Sequence, residues 1–295
     1  MSRGSRDDDR SEPTDRAPDR QVHDRPHTRP DEFAARGLTL PQGEEREVVG
    51  FRGREYSLNG SETRTLATVG AFRAVSIDDF GDDRQSRDVR HGDWRALGAQ
   101  GLLTHETLTD RHGTHHVVAL TREGKDLLDE HSTARPDGRQ QAYYAEIVKP
   151  RELAHDSRLY AAFQKEAERI EDEGGRVTRI VLDYELKSAY QRFLNREDRP
   201  ADATVDSDRE TFADAHDLTI VGGHLELPDV RIEYQTEDGR CEHRDVELVT
   251  EHYSRGQLSG KSKAGFACYR AGGSGRGAGG RKGGTPFDPR NLERL

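Results

Sequence analysis

Apolar positions in the central part of the chain first recur with helical spacing and then alternate. In residues 61–75 they form a helical stripe that Ser61 can cap. The segment SIDDF and residues 86–100 predict two further helices. Two strand-like runs, LLTHETL and THHVVAL, then flank a polar tip, and Thr121 can cap a last helix. The pattern over residues 61–131 is therefore three helices, two strands and a closing helix.

A second folded region is predicted after residue 144, again with helices and strands mixed. An amphipathic helix over 150–173 precedes the most apolar strand of the chain, residues 176–186. A helix, two strands that flank a turn at 237–239, and a last helix over 259–270 follow. The fold class expected for the whole chain is therefore α+β, with a small α/β domain at residues 145–270.

The remaining segments are poor in apolar residues. Residues 1–38 hold eight arginines against nine acidic residues, which predicts a disordered tail. Residues 39–60 suit an extended lead-in or hairpin, and 132–144 a linker. Residues 271–295 form a Gly-rich basic tail, since 252–290 contain eight Lys/Arg and one Asp.

Composition excludes several classes of protein. The chain is 31% hydrophobic and 35% charged, and it has neither a long apolar run nor a secretory leader, which predicts a cytoplasmic protein with no membrane partner. Cys241 and Cys268 stand alone, which excludes a disulfide framework or a cysteine zinc site. The net charge of −10 disfavours a uniformly basic nucleic-acid coat, so any nucleic-acid contact has to come from local patches.

One local patch lies on the predicted third helix and wing. Residues 84–122 contain six Arg, four Asp/Glu and five His. A helix-turn-helix places such a helix in the major groove, where arginines reach phosphates or guanine edges, while a wing touches the backbone or minor groove. The candidate DNA-binding residues on the helix side away from its apolar positions, and at the wing tip, are Arg87, Arg90, His91, Arg95, Arg111 and His112.

A second constellation lies in the C-terminal region. Asp229 opens one strand, Glu247 lies in the next, and Lys261 and Lys263 follow in the last helix. Two carboxylates and a lysine are the components of a nuclease site, in which the acids hold Mg²⁺ and the lysine positions the attacking water. Asp229 and Glu247 are therefore the candidate metal ligands. Asp183 and Glu185, on one face of the predicted strand, are further candidates, with a solvated strand end as the alternative.

Two resemblances accompany these patterns. The run WRALGAQGLLTHETLTDRHGTHHVVALTREGKDLL is similar to the recognition helix, wing and closing helix of bacterial winged-helix DNA-binding domains. The residues His155-Asp156, Pro228-Asp229, Glu247 and the run 263–269 resemble the restriction-endonuclease-like, PD-(D/E)xK fold. In this order, over residues 61–270, they resemble the replication-relaxation family of plasmids and mobile elements.

The resemblance implies duplex DNA as partner, a role in plasmid or mobile-element replication, relaxation or transfer, and Mg²⁺ as cofactor if the C-terminal domain is catalytic. Val249 departs from the pattern, because an active nuclease of this type carries lysine two residues after the second acid. We therefore expect a nuclease-like domain without activity. An active Mg²⁺-dependent nuclease or nickase, a transcriptional regulator and a protein-interaction scaffold are the alternatives. A homodimer and replication or transfer proteins are the further partners considered.

Overall fold

The computed structural model of the protein describes Met1 and residues 31–80, 90–110, 113–133, 139–146, 150–250 and 253–270. Helices and strands are mixed throughout these ranges, which confirms the expected α+β class. Of the predicted tails at residues 1–38 and 271–295, residues 2–30 and 271–295 lie outside the described ranges. Every helix within the described ranges is too short or too polar to cross a bilayer.

The elements are numbered in chain order. Those before residue 140 are α1 (Glu32–Ala35), β1 (Glu47–Phe51), β2 (Arg54–Leu58), α2 (Gly60–Phe72), β3 (Val75–Ser76), a 3-10 helix (Ile77–Phe80), α3 (Arg90–Ala99), β4 (Leu103–Asp110), β5 (Gly113–Leu120) and α4 (Arg122–Glu130). Those after it are α5 (Pro150–Asp172), β6 (Arg176–Leu182), α6 (Asp183–Leu194), α7 (Val205–Ala215), β7 (Ile220–Val221), β8 (His224–Leu225), β9 (Val230–Gln235), β10 (Cys241–Val249), α8 (Arg255–Lys263) and β11 (Ala267–Arg270).

The N-terminal half is organised around a three-stranded sheet of order β3-β5-β4, antiparallel throughout. Helix α2 begins one residue earlier than Ser61. Its cap is Asn59, whose side chain accepts from the Glu62 backbone N–H while Glu62 accepts from the Asn59 N–H. Thr121 caps α4 as predicted, because its hydroxyl accepts from Gly124 N at 3.1 Å.

The C-terminal half is built on a four-stranded sheet of order β11-β10-β9-β6. Strands β6, β9 and β10 pair antiparallel, whereas β11 runs parallel to β10. Helix α5 precedes this sheet in the chain, and α8 connects β10 to β11. Between β6 and β9 the chain inserts α6, α7 and the short β7–β8 pair.

One apolar core runs through both halves. Helix α5 packs against β3 on the N-terminal side and against β6, β9 and β10 on the other. The Phe163 ring lies 5.5 Å from Phe33 and 5.0 Å from Phe72, while Ile170 joins the same cluster as Val177 of β6. Burying such rings stabilises the packing by a few kcal/mol each, on the order of 1.5–3.

Several sequence predictions differ from the structure. Residues 31–38, assigned to the disordered tail, contain α1, and Phe33 is buried because α5 supplies an aromatic partner from 130 residues away in the chain. The strand predicted over 176–186 ends at Leu182, because acidic residues in the first turn and an Asp183–Lys187 pair favour a helix from Asp183.

The last predicted helix, 259–270, is also wrong over its second half. Helix α8 ends at Lys263, and Gly265 follows with φ +84°, a conformation that glycine adopts without strain. Residues 267–270 then form β11, since pairing with β10 buries Cys268 and Tyr269.

Candidate functional site

Asp229 and Glu247 lie side by side, as the nuclease hypothesis requires. The antiparallel register pairs Val230 with Val246, which brings the residue before β9 next to the end of β10. The Asp229 backbone N–H donates to Glu247 Oε2 at 3.3 Å, and the Leu248 N–H donates to Asp229 Oδ2 at 2.8 Å. Glu247 is only 1% exposed, so its carboxylate lies at the bottom of the site.

Lys261 reaches this pair from α8. Its Nζ lies 3.2 Å from Glu247 Oε1 and 3.4 Å from Glu226 Oε2, and it donates to the Leu227 carbonyl oxygen at 2.7 Å. We call Asp229, Glu247 and Lys261 the carboxylate site. Its lysine therefore comes from the following helix and not from the position two residues after Glu247.

Two further positions, Val249 and Lys263, do not supply a lysine to the carboxylate site. Val249 is buried against Leu258 and Cys268, in an apolar cluster between β10, α8 and β11. A lysine at residue 249 would have to place its charge among these side chains, at a large desolvation cost. Lys263 is exposed on α8, and no contact joins it to Asp229 or Glu247 within the described residues.

His155 of α5 closes the site on a third side. Its Nε2 lies 3.3 Å from Asp229 Oδ2 and its Nδ1 lies 3.6 Å from Asp156 Oδ1. Asp156 Oδ2 in turn lies 3.2 Å from Nη1 of Arg73, which ends α2. We call Arg73, Asp156, His155 and Asp229 the ion-pair chain, because it connects the N-terminal half to the carboxylate site without a break.

Burial and charge shift two pKa values here. Burial lowers the pKa of His155, but the contacts with Asp156 and Asp229 outweigh it and raise that pKa to about 10. Burial and the neighbouring Asp229 raise the pKa of Glu247 to about 7, although Lys261 and Tyr253 act in the opposite direction. At neutral pH His155 is therefore charged, and burial beside Asp229 favours the protonated form of Glu247.

Three of the four carboxylate oxygens of Asp229 and Glu247 are engaged by the chain's own donors. Glu247 Oε1 accepts from Tyr253 at 2.7 Å and faces Lys261, while Glu247 Oε2 and Asp229 Oδ2 accept from backbone N–H groups. Mg²⁺ requires a near-octahedral shell of oxygen ligands with available lone pairs. Within the described ranges no group of three or more His, Cys, Asp or Glu side chains could hold a metal ion. In this arrangement the residues do not fit the Mg²⁺ that the resemblance implies.

A second candidate surface runs from α3 onto β4 and β5. The Arg95 guanidinium lies 4.9 Å from the Trp94 ring, Trp94 stacks on His105 at 5.3 Å, and His105 stacks on His116 at 5.2 Å. Arg95, His105 and His116 are exposed. We call these four side chains the cationic-aromatic row.

A buried carboxylate fixes the position of α3 and therefore of the row. Asp93 is 5% exposed and accepts hydrogen bonds from Ser61 at 2.6 Å and Thr65 at 3.1 Å, both on α2. Leu97, predicted on the inner side, is fully buried. Polar anchoring by Asp93 has no counterpart in the hydrophobic pattern, so the sequence could not predict it.

The predicted DNA-binding residues have different outcomes. Arg95 is exposed and belongs to the row, whereas Arg90 and His91 lie in the first turn of α3. Arg87, Arg111 and His112 fall outside the described residues. Sequence reasoning missed the half-buried Trp94 and the exposed His105, which meet only because β4 packs beside α3.

Comparisons with protein-family models, with curated proteins and with solved structures find no match to this chain.

Proposed function

We propose that the chain binds double-stranded DNA through α3 and the β4–β5 hairpin, and that its C-terminal half is a nuclease-like domain that does not cleave DNA. The observation that carries the first part is the cationic-aromatic row. An arginine, two histidines and an indole follow one another on one exposed surface, beside a helix of suitable size for a major groove.

The order of elements supports a winged helix in this role. Helix α2, β3, the 3-10 helix, α3, the β4–β5 hairpin and α4 follow the order of a winged helix-turn-helix, with α3 in the place of the recognition helix. In such a domain the hairpin is the wing. The row then spans both elements that contact DNA, with Arg95 on the helix and His105 and His116 on the wing.

The order of the second half supports a restriction-endonuclease-like core. A helix, three antiparallel strands, a helix and a fourth strand parallel to the third follow one another from α5 to β11. In such a fold Asp229 and Glu247 would be the acids of the site, and α6–α7 would be an insertion. Because three of the four oxygens of these acids are bonded internally, we propose that this half binds or positions DNA without hydrolysing it.

Biological setting is the part of the proposal that rests on the sequence resemblance alone. A winged helix followed by a nuclease-like domain favours plasmid or mobile-element replication, relaxation or transfer. Both DNA contact and assembly with a second copy or with replication proteins are compatible with that setting.

Duplex binding is tested by fluorescence anisotropy with the full chain and a labelled duplex. Arg95→Ala should weaken binding by about 1–3 kcal/mol, since it removes a groove or phosphate contact. Arg240→Ala makes the same change in charge at the exposed β9–β10 turn and should leave the affinity unchanged. Affinity should also fall steeply as salt is raised. Equal affinities for wild type and Arg95→Ala would refute this use of α3.

A second candidate function, Mg²⁺-dependent cleavage of DNA, is favoured by one observation. Lys261 approaches Glu247 to 3.2 Å, so a lysine is present despite Val249. Incubation of supercoiled plasmid with Mg²⁺ or Mn²⁺ separates the two functions. We expect intact plasmid; cleavage that disappears in both Asp229→Asn and Glu247→Gln would instead establish a nuclease and overturn the non-cleaving proposal.

A further inference from the structure

An exposed tyrosine stands beside the carboxylate site and takes no part in it. Tyr184 is 57% exposed, and its hydroxyl has no hydrogen-bond partner among the described residues. It lies in the first turn of α6, immediately after Asp183, whose backbone N–H donates to the Asp229 carbonyl oxygen at 3.1 Å. Tyr184 is therefore one residue away from Asp183, whose backbone is hydrogen-bonded to Asp229 of the carboxylate site.

Neighbouring side chains hold this ring without covering it. Tyr144 meets Tyr184 edge to face, with ring centroids 6.0 Å apart and planes at 89°. The Tyr144 hydroxyl donates to Glu185 Oε2 at 3.3 Å, and Arg179 forms an ion pair with the same carboxylate. An aromatic ring that is supported from the side and exposed on its surface is pre-organised for stacking, because little conformational entropy is lost on binding.

A cation lies next to the ring. The Arg73 guanidinium carbon is 6.0 Å from the centre of the Tyr184 ring, and its Nη1 lies 3.2 Å from Asp156. The backbone of Arg73 has φ +65° and ψ −47°, a region that non-glycine residues rarely adopt. Arg73 is therefore held by its backbone conformation and an ion pair at the end of the ion-pair chain, beside the exposed ring.

We propose that Tyr184 and Arg73 form a subsite for one unpaired nucleotide of single-stranded DNA next to a duplex, with the base stacked on Tyr184 and its phosphate near Arg73. Every base presents an aromatic face, so such a subsite recognises single-stranded character and not sequence. Paired bases inside a duplex are already stacked on each other and cannot use it. The inference rests on the proposed function, and it narrows the substrate class of the C-terminal half to DNA with an unpaired end or flap.

The test uses a duplex with a short single-stranded overhang that carries 2-aminopurine, and a blunt duplex of the same sequence. Wild type should bind the overhang DNA more tightly and quench the 2-aminopurine fluorescence. Tyr184→Ala should bind it about five- to tenfold more weakly and lose the quench, whereas Tyr184→Phe should keep both. Val48→Ala, which trims another exposed apolar side chain, should change neither.

The blunt duplex distinguishes failure of this inference from failure of the proposed function. Tyr184→Ala should bind blunt DNA as wild type does, whereas Arg95→Ala should bind it more weakly. Equal affinity and equal quench for Tyr184→Ala and wild type on the overhang DNA, or no preference of wild type for the overhang, would overturn the subsite alone. Absence of binding to both DNAs would overturn the proposed function and the subsite together.

Discussion

Replacement of His155 by glutamine tests whether the ion-pair chain stabilises the fold. His155 lies between Asp156 and Asp229, which raise its pKa from 6.5 to about 10. A raised pKa in the folded state means that the stabilisation is fully present below about pH 6.5 and is lost as the pH rises through about 10. Glutamine keeps a hydrogen-bond donor but carries no charge, so the substitution removes the stabilisation that depends on the charge of His155.

The size of the pKa shift of His155 sets the expected difference in the free energy of unfolding. One pKa unit corresponds to about 1.4 kcal/mol, so a shift from 6.5 to about 10 is worth at most about 5 kcal/mol. The His155 side chain is 30% exposed, and solvent screening reduces the expected value to about 2–3 kcal/mol. Wild type should therefore exceed His155→Gln by this amount at mildly acidic pH, and the difference should vanish at alkaline pH.

Urea unfolding of both proteins at about pH 6, 8 and 10 measures the difference. Titrating groups remote from His155 contribute equally to wild type and variant, so they cancel in the comparison. His224→Gln, the same change at an exposed position, should leave the free energy of unfolding unaltered. Parallel stability curves for wild type and His155→Gln over the whole range would show that the imidazolium is not stabilised by Asp156 and Asp229, and would refute the reasoning.

Two further predictions concern the packing of the N-terminal half. Asp93→Ala leaves the half-buried Ser61 hydroxyl and the buried Thr65 hydroxyl of α2 without their acceptor and should lower the free energy of unfolding by about 2 kcal/mol, whereas Asp93→Asn should lose less; urea unfolding compares them. Gly124→Ala would place a methyl group 2.2 Å from the Leu102 carbonyl oxygen and should lower the melting temperature at a cost of about 1–3 kcal/mol. Gly92→Ala, with no atom within 4 Å, should raise it slightly; a stabilised Gly124→Ala would contradict the packing described.

Patterns within short stretches of sequence correctly predicted the elements that are stabilised by residues close together in the chain. The β4–β5 hairpin, α2 and the Thr121 cap follow from alternation, helical spacing and a hydroxyl at the right position. Helix α7 was missed inside a polar loop, since its capping pair of Thr204 and Ser207 is ordinary in composition. Helix propensity alone does not distinguish such a segment from a loop.

Long-range contacts account for what the sequence could not predict about the carboxylate site. The sequence named Asp229 and Glu247 as candidate ligands but could not show that they meet; the antiparallel register of β9 and β10 brings them together. The identity of the lysine was left between Lys261 and Lys263, because residues two apart on a helix point to nearly opposite sides and the sequence did not fix which side faces Glu247. The partnership of His155 with Arg73 through Asp156 depends on how α5 packs on α2, which no local pattern encodes.

The core that α5 shares between the two halves also limits how this protein can be divided or recombined. Removing the C-terminal half would expose the apolar sides of Phe33 and Phe72, which Phe163 now covers. A gene fragment encoding only the N-terminal half would therefore yield a chain prone to aggregation, and a fragment encoding only the C-terminal sheet would lack one wall of its core. Exchange of either half between proteins therefore requires compensating changes along α5.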